Sequence, residues 1–206
     1  MSRRVGATDS VTRSKLLDAA EQLMLEEGYA AVTSRRVGAN AGIAPQLVHY
    51  YFGTMDDLFL EVIRRRSEAG LAEFARAIEG DVSLRDLWDF QTGRAQSGME
   101  IEFAALANHR KAVGAEIAKY GDRFRQLHAD AVGRALDRYG VPRATYPPEV
   151  LTLLMTGVAQ ILALEEAVGM NAAHEDTKAF VERLITSLER DGERALETLS
   201  SRGGSS

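Results

Sequence analysis

Between Thr33 and Phe52 the chain reads TSRRVGANAGIAPQLVHYYF, and two short helical patterns meet there at a glycine. Thr33 or Ser34 opens the first as an N-cap, because a hydroxyl accepts from the unpaired amides of a first turn. Val37 and Ala41 lie four residues apart and face inward, while Arg35 and Arg36 point outward. Gly42 ends this helix, where a positive φ is tolerated, and Ile43 anchors the turn. The second helix starts near Ala44, with Pro45 at a first helical position. Counting about 100° per residue from Val48, Phe52 lies at about 40°, Gln46 and Tyr50 at about ±160°, Leu47 and His49 at about ±100° and Tyr51 at about −60°. Val48 and Phe52 therefore pack inward. Gln46 and Tyr50 face away, Leu47 and His49 flank them, and no core is evident to receive that face. Tyr51 packs its ring inward and reaches out with its hydroxyl.

The flanking segments also read as helices. Leu16, Leu17, Ala20, Leu23 and Met24 make one apolar stripe from about Thr12 to Glu27, closed by Gly28. Thr54 and Asp57 have capping-box spacing at the head of a fourth helix that runs to about Ile78. Arg64, Arg65 and Arg66 within it read as a solvated face. Further helices are expected at about 83–97, 99–111, 115–139, 148–168 and 177–199. The first of the last pair is apolar almost all round, and the second carries one apolar face that includes Phe180, Leu184, Leu188, Ala195, Leu196 and Leu199. A single chain of this size leaves such surfaces open, so the pair predicts a two-helix-per-subunit dimer bundle. No run shows sustained β-type alternation. The expected fold is all-α with about nine helices: a three-helix domain over residues 1–53, whose first ten residues form a flexible arm, then a larger helical domain over 54–200 and a flexible tail at 201–206.

Composition narrows the function classes. Hydrophobic residues make up 45% of the chain, enough for a real core. There is no cysteine, which removes disulfides, thiolate metal sites and cysteine nucleophiles and fits a reducing cytoplasm. No apolar run reaches the roughly 18 residues of a membrane span, and MSRRVGATDS has no apolar segment of a secretory signal. Net charge is −5, which argues mildly against nucleic acid. Yet residues 1–53 carry Arg3, Arg4, Arg13, Lys15, Arg35 and Arg36 against Asp9, Asp18, Glu21, Glu26 and Glu27, so the excess acid lies elsewhere. A local basic surface matters more than the sum. No phosphate loop, nucleophile elbow or His-Glu-x-x-His motif is present, and the side chains of Glu165 and Glu166 diverge by about 100° on a helix. The chain is read as a non-enzyme with no cofactor and no metal; His109 and His128 lack paired ligand spacing.

The segment TSRRVGANAGIAPQLVHYYFGTMDDLF resembles the helix-turn-helix of the TetR-type regulators. Thr33, Ala41-Gly42-Ile43, Val48 to Phe52 and Thr54 to Asp57 carry the likeness, together with Glu27-Gly28-Tyr29 at the end of the first helix. The resemblance covers about 50 N-terminal residues. His49 stands where Tyr is usual, Ala44 replaces a frequent Ser or Thr, and Gly53 and Met55 replace common Lys or Pro, so the grip on phosphate is expected to be weaker than in many relatives.

The resemblance implies a cytoplasmic regulator that binds double-stranded DNA as a homodimer, through helices at about 148–168 and 177–199, with no membrane partner. Two recognition helices would dock in successive major grooves of a near-palindromic operator. Gln46 is the candidate base contact, since an amide can pair adenine N6 and N7, and Leu47 would meet a thymine methyl. Tyr50 and Tyr51 are candidate phosphate or sugar contacts. Arg35 and Arg36, helped by Thr33 and Ser34, would reach the backbone. Pro45, His49 and Thr54 complete the expected DNA face, and Arg3, Arg4 and Arg13 would steer association or act as an arm. A small apolar effector is expected between helices of the larger domain, with Trp88, Met99, Phe103, Leu106, His109, Tyr120, Phe124, Met155 and Gln160 as candidate lining. The likeness favours a ligand-released repressor. An activator of the same fold stays open, as does a helical small-molecule binding protein or enzyme that reads no DNA.

Overall fold

The computed structural model describes the backbone of residues 2–203 and the side chains of residues 10–190. Among these residues all regular structure is helical: α1 Ser2–Glu27, a 3-10 turn Tyr29–Ala31, α2 Ser34–Ala41, α3 Gln46–Phe52, α4 Met55–Ala77, α5 Leu84–Ala95, α6 Met99–His109, α7 Lys111–Arg138, α8 Pro148–Ala167 and α9 His174–Gly203. The all-α expectation and its nine helices hold for the described residues. Helix α1 starts ten residues before Thr12, in a stretch without the apolar stripe by which its start was judged. The side chains of the expected arm, Arg3 and Arg4 included, lie outside the described residues. So do the side chains of Ala195, Leu196 and Leu199 and of the expected tail, of which 204–206 lie outside altogether.

The chain divides into two compact units, Met1–Leu71 with Gly98–Gly121, and Ala72–Ser97 with Asp122–Ser206. This differs from a simple cut at residue 53. The reason is packing: Met99, Phe103 and Leu106 of α6 and Val113 of α7 are buried in the same core as the first four helices. That core takes Leu16, Leu23 and Met24 from α1, Val37 from α2, Val48 and Phe52 from α3, and Leu58, Phe59, Val62 and Ile63 from α4. Each such side chain, once buried, contributes about 1.5–3 kcal/mol.

Ion pairs tie the same helices at their rims. Arg65 of α4 bonds Asp18 at 2.6 Å and Glu21 at 2.7 Å on α1, and Arg66 reaches Glu21 at 3.3 Å. Arg64 bonds Glu116 of α7 at 3.0 Å. The reading of these three arginines as a solvated face holds for the exposed Arg66 and is corrected for Arg64 and Arg65, which are half-buried against acids far off in sequence that helical periodicity cannot reveal. Tyr120 of α7 donates its hydroxyl to Glu68 of α4 at 2.9 Å.

The second unit packs Phe74, Leu84, Leu87, Trp88, Val132, Leu136, Leu162, Ile185 and Leu188 into its core. Ser83 and Asp86 close a capping box at the head of α5, Ser83 N–H donating to the carboxylate at 2.9 Å and Asp86 N–H to the hydroxyl at 3.0 Å. The Ser83 hydroxyl, which donates to the same carboxylate at 2.7 Å, and the Ser83 amide hold the Asp86 carboxyl below its usual range. Gln91 of α5 donates to the Thr156 hydroxyl of α8 at 2.6 Å.

Helix α8 corrects the reading of apolar runs. By length and composition alone Pro148–Ala167 suffices to cross a membrane, with a mean hydropathy of 1.5, and only 17% of that stretch is buried in the single chain. Thr152, Thr156, Gly157 and Gln160 interrupt its apolar run without adding charge. Val150, Leu153, Leu154, Ile161 and Leu164 of α8 and Phe180 and Leu184 of α9 are exposed.

Candidate nucleic-acid interface

Helix α2 is built for the corner that follows it. Thr33, extended at φ −121°, accepts the Arg36 amide through its hydroxyl, so it is the N-cap. Gly42 closes α2 in the left-handed region at φ 66°. Gly38 is a residue that the sequence reading passed over. A Cβ there would meet the Ile43 carbonyl oxygen at 2.7 Å and the Pro45 Cα at 3.0 Å. Only a residue without Cβ lets α2 and the start of α3 approach so closely. A glycine inside a helix was the available signal.

Helix α3 begins one residue later than expected, at Gln46, with Pro45 in the capping position. Val48 and Phe52 are its buried residues, as the angular count predicts. Tyr50 is 73% exposed and Leu47 37% exposed; Gln46 and His49 are exposed as well, and Tyr51 is half-buried. The Tyr50 and Tyr51 rings meet edge to face at 5.1 Å, so Tyr51 props the outer tyrosine. Gln46, Leu47 and Tyr50 thus form one exposed surface on a helix held by two buried anchors.

The turn after α3 is fastened by its own side chains. Gly53 has φ 74°, and its carbonyl lies 3.1 Å from His49 Nδ1. Thr54 N–H donates to Asp57 at 3.1 Å and Asp57 N–H to the Thr54 hydroxyl at 3.1 Å. Thr54, expected on the DNA face, is exposed with its hydroxyl engaged in this cap.

Two basic residues are held by acids. Arg36 is ion-paired with Glu27 at the end of α1. The bond to Arg36 holds the Glu27 carboxyl below its usual range, and the same bond raises Arg36. Arg13, expected to steer DNA, bonds Glu61 at 2.9 Å and lies 5.1 Å over the Phe52 ring. Arg35 and Thr33 are exposed and Ser34 is half-buried. The corner before α2 is gripped from α6: Glu102 accepts the Tyr29 amide at 2.7 Å.

Comparison with known proteins bears on this arrangement. Residues 16–62 match the family described as bacterial regulatory proteins, tetR family. This chain matches that family over these residues, which are less than a quarter of its length. Its curated relatives include the HTH-type transcriptional regulator BetI of Rhizobium meliloti, 38% identical over 56 residues, which are 27% of this chain and 28% of that protein. The match thus spans little more than a quarter of that relative's length. Solved structures share the fold over most of the chain. One described as a transcriptional regulator of Saccharomonospora viridis in complex with choline has a TM-score of 0.66 at 14% identity, covering 91% of this chain and 96% of that one. The multidrug binding protein EbrR complexed with malachite green has a TM-score of 0.59 at 20% identity, covering 85% and 96%.

The expected effector lining divides between the two units. Met99, Phe103 and Leu106 are buried in the core of the first unit. Tyr120 belongs to that unit too, bonded to Glu68. His109 is exposed, its ring 6.3 Å from Tyr29. Trp88, Phe124 and Met155 belong to the core of the second unit, whereas Gln160 is exposed. The residue that stands out chemically in that unit was read only as an unsupported metal ligand. His128 of α7 is 0% exposed, and neither ring nitrogen has a hydrogen-bond partner. Leaving a buried polar group unpaired costs about 1–3 kcal/mol. Burial lowers its pKa to about 4, so the ring is neutral near pH 7. Among the described residues no cluster of three or more His, Asp or Glu could hold a metal ion.

Proposed function

We propose that this chain is a sequence-specific DNA-binding transcriptional regulator that works in the cytoplasm as a homodimer and is released from its operator by a small molecule. The observation that carries the reading is the exposed Gln46, Leu47 and Tyr50 surface on a helix anchored by Val48 and Phe52, within a TetR-family match. Gln46 and Leu47 contact bases. Tyr50, Tyr51, Arg35 and Arg36 contact phosphate or sugar, aided by Thr33, Ser34 and Pro45, with His49 and Thr54 shaping the edge of the face.

The domain boundary follows the same reading: residues 1–53 read DNA, and 54–200 bind effector and partner. The exposed apolar residues of α8 and α9, among them Leu154 at 57% and Phe180 at 59%, support pairing of these helices with those of a second copy. Pairing places two α3 helices on successive major grooves of a near-palindrome. Two structural neighbours hold the small molecules choline and malachite green, which supports effector control. Effector binding shifts α4, which carries residues of both units, and alters the spacing of the two reading heads. The effector must bind the DNA-free spacing more tightly, or it shifts nothing. Release of DNA by effector makes the chain a repressor when its operator overlaps a promoter.

The test is binding of the purified protein to the DNA upstream of its own operon, followed by a screen for compounds that release it. Specific retention with steep salt dependence is the expected result. Equal binding to scrambled DNA contradicts the reading and favours a helical small-molecule binding protein.

A further inference from the structure

We infer that His128 is the polar anchor of the effector site, and that the effector is a neutral aromatic compound bearing a hydroxyl group, of the phenol or naphthol class. The inference rests on the regulator reading above and adds a residue and a ligand chemistry to it.

The buried imidazole is the first observation. His128 is fully enclosed and both its nitrogens lack a partner, whereas nearly all buried polar groups in proteins are paired. A phenylalanine or leucine would fill the same place without that defect. A bound hydroxyl would pair one of its two nitrogens.

The surroundings are the second. The Phe74 ring of α4 stands edge-on to His128 at 5.4 Å, and the Phe124 ring of α7 lies 6.2 Å away. Phe74 also meets Phe90 of α5 at 4.9 Å and Phe124 at 4.7 Å. Phe74 and Phe124 therefore flank the imidazole, and Phe90 extends the aromatic cluster beyond them, an environment that a flat aromatic body fits. Phe74 is fully buried, while Phe124 is half-buried, so a ligand would enter past Phe124.

Charge selects among aromatic ligands. The imidazole is neutral in this apolar shell and offers one N–H donor and one lone pair. A phenolic hydroxyl donates to that lone pair. A carboxylate would bring a charge against an imidazole that carries none. A quaternary ammonium gives the imidazole no hydrogen bond, and the Phe124 face that would attract a cation already carries the Arg94 guanidinium at 4.3 Å.

Full-length protein labelled with 15N-histidine tests this, with His128→Phe assigning the resonance among the four histidines. Titration with 1-naphthol is expected to shift the His128 ring nitrogens. Calorimetry is expected to show 1-naphthol binding about tenfold tighter than naphthalene, the value of one hydrogen bond, and tighter than 1-naphthoate or benzyltrimethylammonium. In His128→Phe the preference for naphthol over naphthalene disappears while the melting temperature does not fall. An unmoved His128 resonance, equal affinity for naphthol and naphthalene, or tighter binding of either charged probe overturns the inference, and the wild-type affinity comparison does not depend on the variant folding. DNA binding separates the two claims. Operator binding without a naphthol response defeats this inference alone. A naphthol response at His128 in a protein that binds no operator defeats the regulator reading and leaves the site standing.

Discussion

Arg36, at the head of the helix that leads into the corner, is ion-paired with Glu27, the last residue of α1. A carboxylate at a helix C-terminus faces the negative end of the helix dipole, so the contact with Arg36 is what favours it there. The same carboxylate competes with any phosphate that approaches Arg36. Glu27→Gln is expected to raise DNA affinity a few-fold for all sequences alike, and to steepen the salt dependence by about one unit of slope. Fluorescence anisotropy over a series of salt concentrations reads both. An unchanged slope would remove Arg36 from the backbone contacts.

Gly38 sets how closely α2 meets the start of α3. With a Cβ placed 2.7 Å from the Ile43 carbonyl oxygen, Gly38→Ala is expected to cost about 1–3 kcal/mol, as overpacking does. Gly93→Ala is the control. That glycine lies in α5 and a Cβ there meets nothing within 4 Å, so the alanine should stabilise by about 0.5–1 kcal/mol through its helix preference. Urea unfolding of the two variants should move in opposite directions.

His128 gives the stability a pH dependence of known sign. Its folded pKa is lowered from 6.5 to about 4. Above about pH 6.5 the ring is neutral in both the folded and the unfolded chain. As pH falls toward 4 the unfolded chain takes up the proton first, so stability falls, by about 3 kcal/mol in all. His128→Phe removes this term. The difference in unfolding free energy between the two proteins should therefore change across pH 6.5 to 4 in favour of the variant, and a difference that stays flat would place a charged or partnered imidazole at this position.

Leu154 and Phe180 are more than half exposed on the last two helices. Leu154→Arg with Phe180→Asp should convert the protein to a monomer in sedimentation while preserving its helical circular dichroism. It should also lower operator affinity at least tenfold, since two half-sites are then no longer gripped together. A double variant that remains dimeric would move the dimer contact elsewhere.

Short-range chemistry was the part of this fold that the sequence displayed. Thr33, Ser83 with Asp86, and Thr54 with Asp57 all cap over three residues, and Val48 and Phe52 are one turn apart, so capping rules and a helical count suffice. The same count separated Gln46 and Tyr50 from the buried side of α3. What stayed hidden spans the chain. Glu102 accepts the Tyr29 amide across 73 positions, and Arg64 finds Glu116 across 52. No periodicity encodes such pairs. Met99, Phe103 and Leu106 have an apolar, helical spacing that suits lining and core alike, and they are buried in the core of the first unit. His128 carries no signal beyond its lack of paired ligand spacing, because a lone histidine becomes unusual only once its enclosure is known.

The measurement nearest to the central claim is binding of wild type and Gln46→Ala to the upstream region and to a base-scrambled duplex, at two salt concentrations. The reading assignment predicts that wild type prefers the native duplex by at least a hundredfold. It predicts that Gln46→Ala loses about 1–3 kcal/mol of that preference and keeps its affinity for the scrambled duplex. Equal preference in both proteins, or no preference in wild type, would contradict it.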